Sequence, residues 1–232
     1  MLRKILISVI ALTVPFLLVV ANIRIVANPW FIQFEYGRPG FPADAYGFTA
    51  EQRTPLALAG LHSVVPEGAG LIELEQAKLP TGEPAFAARE IKHMQDVRVL
   101  MARVFPLALS MGSALIILAI VFRKSPAYHD IVPQGLRAGS ILTLLLLAGL
   151  IAYVLINFDA FFLQFHQLFF EGDSFAFRYD DTLIRLYPEQ LWSDAAILIG
   201  VLTGAMAAAL AAVSWWWLKK VVREASPGET AQ

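Results

Sequence analysis

The sequence contains no cysteine and few charged residues. Asp, Glu, Lys and Arg make up 16 % of its 232 residues, whereas about 25 % is usual for soluble domains. Without cysteine the chain can form no disulfide, no thiolate nucleophile and no cysteine-ligated metal site. The formal net charge of −1 also argues against a nucleic-acid partner, because such partners bind strongly basic surfaces.

Several catalytic and metal-binding motifs are also missing. The chain has no nucleotide-binding loop, no Gly-x-Ser-x-Gly nucleophile turn and no His-Glu-x-x-His zinc motif. Glu90 and His93 have the Glu-x-x-His spacing found in di-iron helix bundles, but such a site needs two copies and the sequence has one. We therefore expect no metal and no other cofactor.

Hydrophobic residues, in contrast, make up 57 % of the chain and are concentrated in long runs. A transmembrane helix needs about 20 apolar residues, because the hydrocarbon layer is about 30 Å thick. Four stretches meet this requirement and predict helices over 1–27, 99–122, 136–157 and 195–218. The sequence therefore predicts an all-α integral membrane protein with four transmembrane helices.

Charged residues at the ends of these runs predict the orientation. The N-terminus, the loop 123–135 with Arg137, and the tail 219–232 together carry eight Lys and Arg residues and three acidic residues. The rest of the chain carries ten basic and sixteen acidic residues. Because cytoplasmic flanks are enriched in Lys and Arg, we expect both termini and the loop 123–135 in the cytoplasm. Segments 28–98 and 158–194 are then extracytoplasmic.

The first apolar run has a second interpretation. Its basic start and the small residue Ala27 also fit a cleaved signal peptide. The run is long for a signal peptide, however, and Arg24 interrupts the region before any cleavage site. A retained helix is therefore the favoured interpretation.

Small residues recur on one face of the fourth predicted helix. Gly200, Gly204 and Ala208 are spaced four residues apart, and small residues allow the backbones of membrane helices to approach closely. This face is predicted to pack within the bundle, with a contact between two copies as the alternative. The oligomeric state is left open.

The extracytoplasmic segments are predicted to form a small, partly irregular domain. Thr49 and Gln52 match a helix capping box, and a short strand is predicted around Leu71–Leu74. A long helix is expected from about Pro84 into the second span. His93 would then lie about 9 Å above Val99, near the lipid headgroups.

An aromatic stripe follows the third span. Its phenylalanines recur at helical spacing: Phe158, Phe161, Phe162, Phe165 and Phe169. The pattern predicts an amphipathic segment at the membrane interface, either as a continuation of the third helix or as a separate segment lying flat. His166 lies on the other side of the stripe, roughly on the face of Asp159.

His93 and His166 are the candidate catalytic residues. Both lie on segments that leave the membrane on the outer side, and imidazole exchanges protons near neutral pH. Asp96 shares a helix face with His93 and is a candidate for fixing its tautomer; the alternative is an ion pair with Lys92 or Arg89. Two separate interfacial histidines without a common role are the alternative for the pair itself.

Three blocks of the sequence carry a family resemblance. They are Tyr46-Gly47-Phe48-Thr49 with Glu51 and Arg53, the helix His93-Met94-Gln95-Asp96-Val97-Arg98, and the block from Phe158 to Pro188 that contains Phe165-His166. In order and topology, nearly the whole chain resembles the four-span bacterial lipoprotein intramolecular transacylases called Lit and the uncharacterised membrane proteins grouped with them.

The resemblance implies an acyltransferase of the bacterial plasma membrane. Its substrate would be a lipoprotein whose N-terminal Cys carries a diacylglyceryl group, and the sn-2 acyl chain would move to the α-amine of that Cys. The implied partners are the lipidated N-terminus of lipoproteins and membrane lipids. His93 and His166 match the family's expected catalytic pair.

The sequence leaves open the residues that support the two histidines and two alternative functions. Asp96, Arg98 and Asp159 are candidates for orienting a histidine or stabilising an oxyanion. Two other functions fit the same topology: a non-enzymatic membrane module that binds a lipid or protein, and a membrane hydrolase.

Overall fold

A computed structural model describes residues 1–125, 127–170 and 175–225, without the side chains of residues 158, 159, 222, 224 and 225. The elements in this part of the chain are α1 Leu2–Val26, α2 Pro29–Gly37, α3 Ala50–Val64, α4 Ile72–Gln76, α5 Ala88–Phe122, α6 Ile131–Ile156, α7 Phe158–Phe169, α8 Thr182–Leu186 and α9 Glu189–Ala225. Within the described residues there is no β-strand, and a single β-bridge pairs Lys78 with Pro84. Helices α1, α5, α6 and α9 are long and apolar enough to cross a membrane, which confirms the predicted fold class.

The chain divides into two compact units. The first, which we call the membrane unit, contains Met1–Asn22, Pro106–Ile156 and the described residues from Ile199 onward. Its buried apolar cluster consists of Ile10, Val14, Leu18, Ile131, Val132 and Ala207. Helix α1 supplies three of these six residues.

Glycines allow the helices of the membrane unit to pack closely. A Cβ at Gly135 or Gly139 would lie 2.6 Å from the Cβ of Ile10 or Val14, respectively. These two glycines lie on α6, whereas the small-residue face predicted from the sequence lies on the fourth span.

The small-residue face of α9 also packs inside the membrane unit. A Cβ at Gly200 or Gly204 would lie 3.8 or 3.4 Å from the side chain of Leu147 on α6. This is the predicted packing within the bundle.

The second unit, which we call the outer unit, contains Ile23–Phe105 and Asn157–Leu198. Thr49 caps α3 as predicted: its side chain accepts from the amide of Gln52, whose side chain accepts from the amide of Thr49. The buried apolar cluster of this unit consists of Ile32, Ala57, Leu61, Val65, Leu74, Ala85, Phe86, Met94, Leu183 and Leu186.

Two local predictions for the outer unit need correction. The strand predicted around Leu71–Leu74 is instead the helix α4. Ile72 and Leu74 would share one face of a strand, but Leu74 is 1 % exposed and Ile72 is 57 % exposed. Helix α5 begins at Ala88 rather than Pro84, because Ala85 and Phe86 are buried in the core of the unit before the helix starts.

The aromatic stripe forms a separate helix, α7, because Asn157 ends α6 and caps the next helix. The Asn157 side chain accepts a hydrogen bond of 2.9 Å from the amide of Ala160. Of the two predicted forms of this segment, the structure has the separate one.

Candidate functional site

His93 lies near the start of α5, before the apolar stretch that begins at Val99. Its half-buried ring packs edge-on against the rings of Phe170 and Phe177, with centroids 5.1 and 5.2 Å away. The Nδ1 atom is buried and has no hydrogen-bond partner among the described residues. A buried polar nitrogen without a partner is costly, so this atom is an unsatisfied group of the site.

His166 lies in the last turn of α7 and is oriented by the backbone of its own helix. Its Nδ1 lies 2.8 Å from the carbonyl oxygen of Phe162. A carbonyl only accepts, so Nδ1 carries the proton and Nε2 of the neutral ring carries the lone pair. The ring packs against Phe162 and Phe175, with centroids 4.0 and 5.0 Å away.

One phenylalanine contacts both imidazoles. The Phe170 ring centroid lies 5.1 Å from that of His93 and 6.1 Å from that of His166. The sum of these two distances is the upper limit for the separation of the two imidazoles. We call this arrangement the histidine cluster; it consists of His93, His166, Phe162, Phe170, Phe175 and Phe177.

Both histidines of the cluster favour the neutral form. Burial and, to a smaller extent, the nearby His166 lower the pKa of His93 to about 4, while the charge of Asp96 acts in the opposite direction. Burial also lowers the pKa of His166, although its hydrogen bond to the Phe162 carbonyl opposes the shift. Both rings therefore favour the neutral form at pH 7, and the same shift makes each a weaker base than free imidazole.

We expect an NMR titration of the purified protein to detect this environment. His93 should titrate with a midpoint of about 4. His166→Ala should raise that midpoint, because it removes a neighbouring ring that disfavours the imidazolium, and Asp96→Asn should lower it, because it removes a stabilising negative charge. A midpoint near 6.5 that neither substitution moves would contradict this description of the site.

Two of the three predicted supporting residues have other partners in this structure. Asp96 pairs with Lys92 at 2.8 Å, and His93 Nδ1 has no hydrogen-bond partner among the described residues. The charge of Asp96 nevertheless acts on His93, since it opposes the lowering of the His93 pKa. Arg98 donates a 2.9 Å hydrogen bond to the carbonyl of Ser63 near the end of α3, and the side chain of Asp159 lies outside the described residues.

Glu90 has a structural role that the spacing analysis missed. Its side chain is 2 % exposed, and its two oxygens accept 2.7 Å hydrogen bonds from the amides of Ala87 and Leu183. Burial raises the pKa of the carboxyl group. Glu90 thus joins the start of α5, three residues before His93, to α8.

Two further contacts hold the same pair of segments together. Thr182 donates a 2.5 Å hydrogen bond to the carbonyl of Ala85, and Arg89 forms an ion pair with Asp181. The sequence gives little indication that the start of α5 contacts the start of α8. Asp181 and Thr182 at the start of a short helix are equally typical of an isolated turn.

Two arginines hold the block around Tyr46–Arg53 in place. Arg185 of α8 makes a two-pronged ion pair with Asp44, at 3.1 and 2.8 Å, and lies over the Phe48 ring. The buried Arg53 donates to the carbonyls of Pro42 and Arg185, both at 2.8 Å. These contacts give the polar residues of the block a positioning role rather than a chemical one.

No group of three or more metal-ligating side chains occurs in the part of the chain that the structure describes. With both oxygens bonded to backbone amides, Glu90 is an anchor for α8. The histidine cluster therefore offers two neutral nitrogen bases beside aromatic rings, an arrangement suited to proton transfer next to an apolar group.

Comparison with known proteins decides the family. A sequence model described as lipoprotein intramolecular transacylase Lit matches residues 7–192. The chain belongs to the Lit family. It is also 32 % identical, over 201 residues, to an uncharacterised protein of Aquifex aeolicus (strain VF5), a match that covers 87 % of this chain and 89 % of that protein.

Solved structures agree with the Lit-family fold. The membrane-integral lipoprotein intramolecular transacylase Lit from Bacillus cereus matches with a TM-score of 0.77 and 21 % identity, over 94 % of this chain and 97 % of that one. Variants of the same Bacillus cereus protein with one histidine replaced by arginine or alanine match with TM-scores of 0.73 and 0.74. At this identity the likeness concerns the fold, which is that of a membrane-integral Lit protein.

Proposed function

We propose that this Lit-family protein moves the sn-2 acyl chain of a diacylglyceryl-Cys lipoprotein to the α-amine of the same Cys, with His93 and His166 as the catalytic pair. The product is a lyso-form lipoprotein with an amide-linked chain and one remaining ester chain. The observation that carries the proposal is the histidine cluster, in which two neutral imidazoles both contact Phe170.

Proton balance explains why two neutral bases suit this reaction. The α-amine has a pKa of about 8 and is mostly protonated at pH 7. One imidazole removes the ammonium proton and passes it to solvent, and the amine nitrogen then bonds to the ester carbonyl carbon. The second imidazole takes another proton from that nitrogen and gives it to the glycerol oxygen as the carbon–oxygen bond breaks. Both imidazoles must be neutral at the start.

The intramolecular geometry removes the need for a covalent acyl-enzyme. The amine reaches the carbonyl through a ring of about eight atoms, so the main barrier is orientation, which a fitted site supplies. Aromatic rings around both histidines provide an apolar surface beside the reacting ester. A mechanism without a covalent acyl-enzyme agrees with a chain that has no cysteine.

The test is lipoprotein analysis in a bacterial host that lacks its own N-acylation of lipoproteins. On expression of this protein, mass spectrometry of lipoprotein N-termini should detect an acyl chain on the α-amine, with one ester chain lost and the total mass unchanged. A mass lower by one acyl chain, with a free α-amine, would instead indicate a hydrolase. Unchanged N-termini would indicate a binding module.

We further propose that both termini are cytoplasmic and that the histidine cluster faces the outer leaflet, as the distribution of Lys and Arg predicts. Because the chain has no cysteine of its own, a thiol reagent labels only the single cysteine introduced at the position tested. A cysteine at Ser125 should resist an impermeant thiol reagent in intact cells. A cysteine at Ser174, which lies outside the described residues, should react.

A membrane-permeant thiol reagent should label both cysteine variants, which controls for local burial. The opposite labelling pattern with the impermeant reagent would invert the topology and place the histidine cluster on the cytoplasmic side.

A further inference from the structure

The membrane unit contains a cavity that the proposed acyl transfer does not use. It has a volume of about 370 Å³, which falls in the range of small-ligand pockets. One residue of α6 and four of α9 line it: Arg137, Trp215, Leu218, Lys219 and Arg223.

The cavity combines an apolar wall with a cationic wall. Trp215 and Leu218 belong to the end of the apolar stretch of α9, and Lys219 and Arg223 follow it by one and five residues. Arg137 lies in the second turn of α6. A molecule bound here would therefore have a negatively charged part at the three cations and an apolar part along the tryptophan.

The three cations are exposed and lack a carboxylate partner within the described part of the chain. All three side chains are exposed, and among the described side chains none pairs with a carboxylate. Lys219 Nζ lies 3.6 Å from the centroid of the Trp215 ring, so a cation–π contact holds this ammonium at the cavity wall.

We propose that this cavity binds the headgroup of an anionic phospholipid, with the phosphodiester at Arg137 and Arg223 and the acyl chains beside Trp215 and Leu218. Guanidinium groups match phosphate geometry in two-pronged hydrogen bonds. Tryptophan prefers the interfacial zone of the bilayer, and basic pockets between membrane helices bind acidic headgroups. Attraction of the lipid by a general excess of cytoplasmic cations would not depend on which Lys or Arg residues are present. Binding at this site, in contrast, depends on Arg137 and Arg223.

Native mass spectrometry of the full chain tests the proposal. The protein is reconstituted into nanodiscs of phosphatidylcholine and phosphatidylglycerol in equal amounts and then released into mild detergent. We expect the wild type to retain phosphatidylglycerol. The double variant Arg137→Ala, Arg223→Ala should retain it more weakly by on the order of 30-fold, from about a fivefold loss for each cation removed.

A matched double variant separates a site from bulk charge. Arg123→Ala with Lys124→Ala also removes two exposed cations, from the loop between α5 and α6, and should leave retention within about twofold of the wild type. Trp215→Ala, which keeps every charge, should weaken retention because the apolar wall and the support for Lys219 are lost.

Three results would overturn the proposal. Equal losses in the two double variants would indicate bulk attraction, and equal retention of the two lipids would exclude headgroup selection. Displacement of the lipid by excess inorganic phosphate would indicate a site for a free anion. None of these results depends on acyl transfer, so the site stands or falls separately from the proposed function.

Discussion

Replacing either His93 or His166 with alanine is expected to reduce acyl transfer by about 10²–10⁴-fold, the usual contribution of a general acid–base group. Each ring has a separate task in the proton balance, because one proton goes to solvent and another goes to the glycerol oxygen. Either substitution alone should therefore remove most lyso-form lipoprotein from the mass spectrum. The double variant should lose at least as much acyl transfer as the more impaired single variant.

The other two histidines provide matched controls. His62 contacts Glu73 at 3.2 Å, and His129 contacts the carbonyl of Ser125 at 2.9 Å; neither belongs to the histidine cluster. Alanine at either position should leave acyl transfer near the wild-type level. Thermal unfolding in detergent should show that all four variants fold.

Undiminished lyso-form lipoprotein from both cluster variants would remove His93 and His166 from the mechanism. The same loss in all four histidine variants would point to a general effect on expression or folding instead. Only a loss confined to the two cluster variants supports the proposed roles.

Glu90→Ala is expected to destabilise the outer unit strongly. Hydrogen bonds to a charged acceptor contribute roughly 1.5–3 kcal/mol each, and this substitution removes those from the amides of Ala87 and Leu183. The free energy of unfolding should fall by about 3–6 kcal/mol. Because Leu183 is also 5 % exposed, its orphaned amide has little access to water in the folded state.

Hydrogen exchange at the Leu183 amide gives a local measurement of the same effect. This amide should exchange much faster in Glu90→Ala than in the wild type. In Glu90→Gln, which keeps one acceptor oxygen, the exchange rate of this amide should lie between those of the wild type and Glu90→Ala. The exposed Glu83 provides the control, because its substitution by alanine removes an acidic residue outside this joint; equal destabilisation by Glu83→Ala and Glu90→Ala would contradict the anchoring role.

Part of the site follows from the sequence, and part does not. His93 and His166 stand out because each lies on a segment that leaves the membrane on the same predicted side. Their shared contact with Phe170, however, depends on how α7 and the following chain return to α5. Asp96 illustrates the same limit: Lys92 and His93 are both within reach along the helix, and only the folded side chains show that Lys92 is its partner.

The sequence by itself determined the four membrane helices, the all-α fold class of the protein and the cap of α3. A span is set by the length of an apolar run against the thickness of the bilayer, and a cap is set by residues three positions apart, so both are local properties. The charge asymmetry that predicts orientation is read from the sequence in the same way.

Only the tertiary structure decided which distant residues meet. Glu90 and Leu183 are 93 residues apart in the chain, and no local pattern signals their hydrogen bond. Likewise, α4 became a helix where a strand was predicted, because burial of Leu74 in the core of the outer unit outweighed a short apolar alternation. The open cavity at Arg137 and Trp215 arises in the same way, since two helices must pack before their end residues can line a common space.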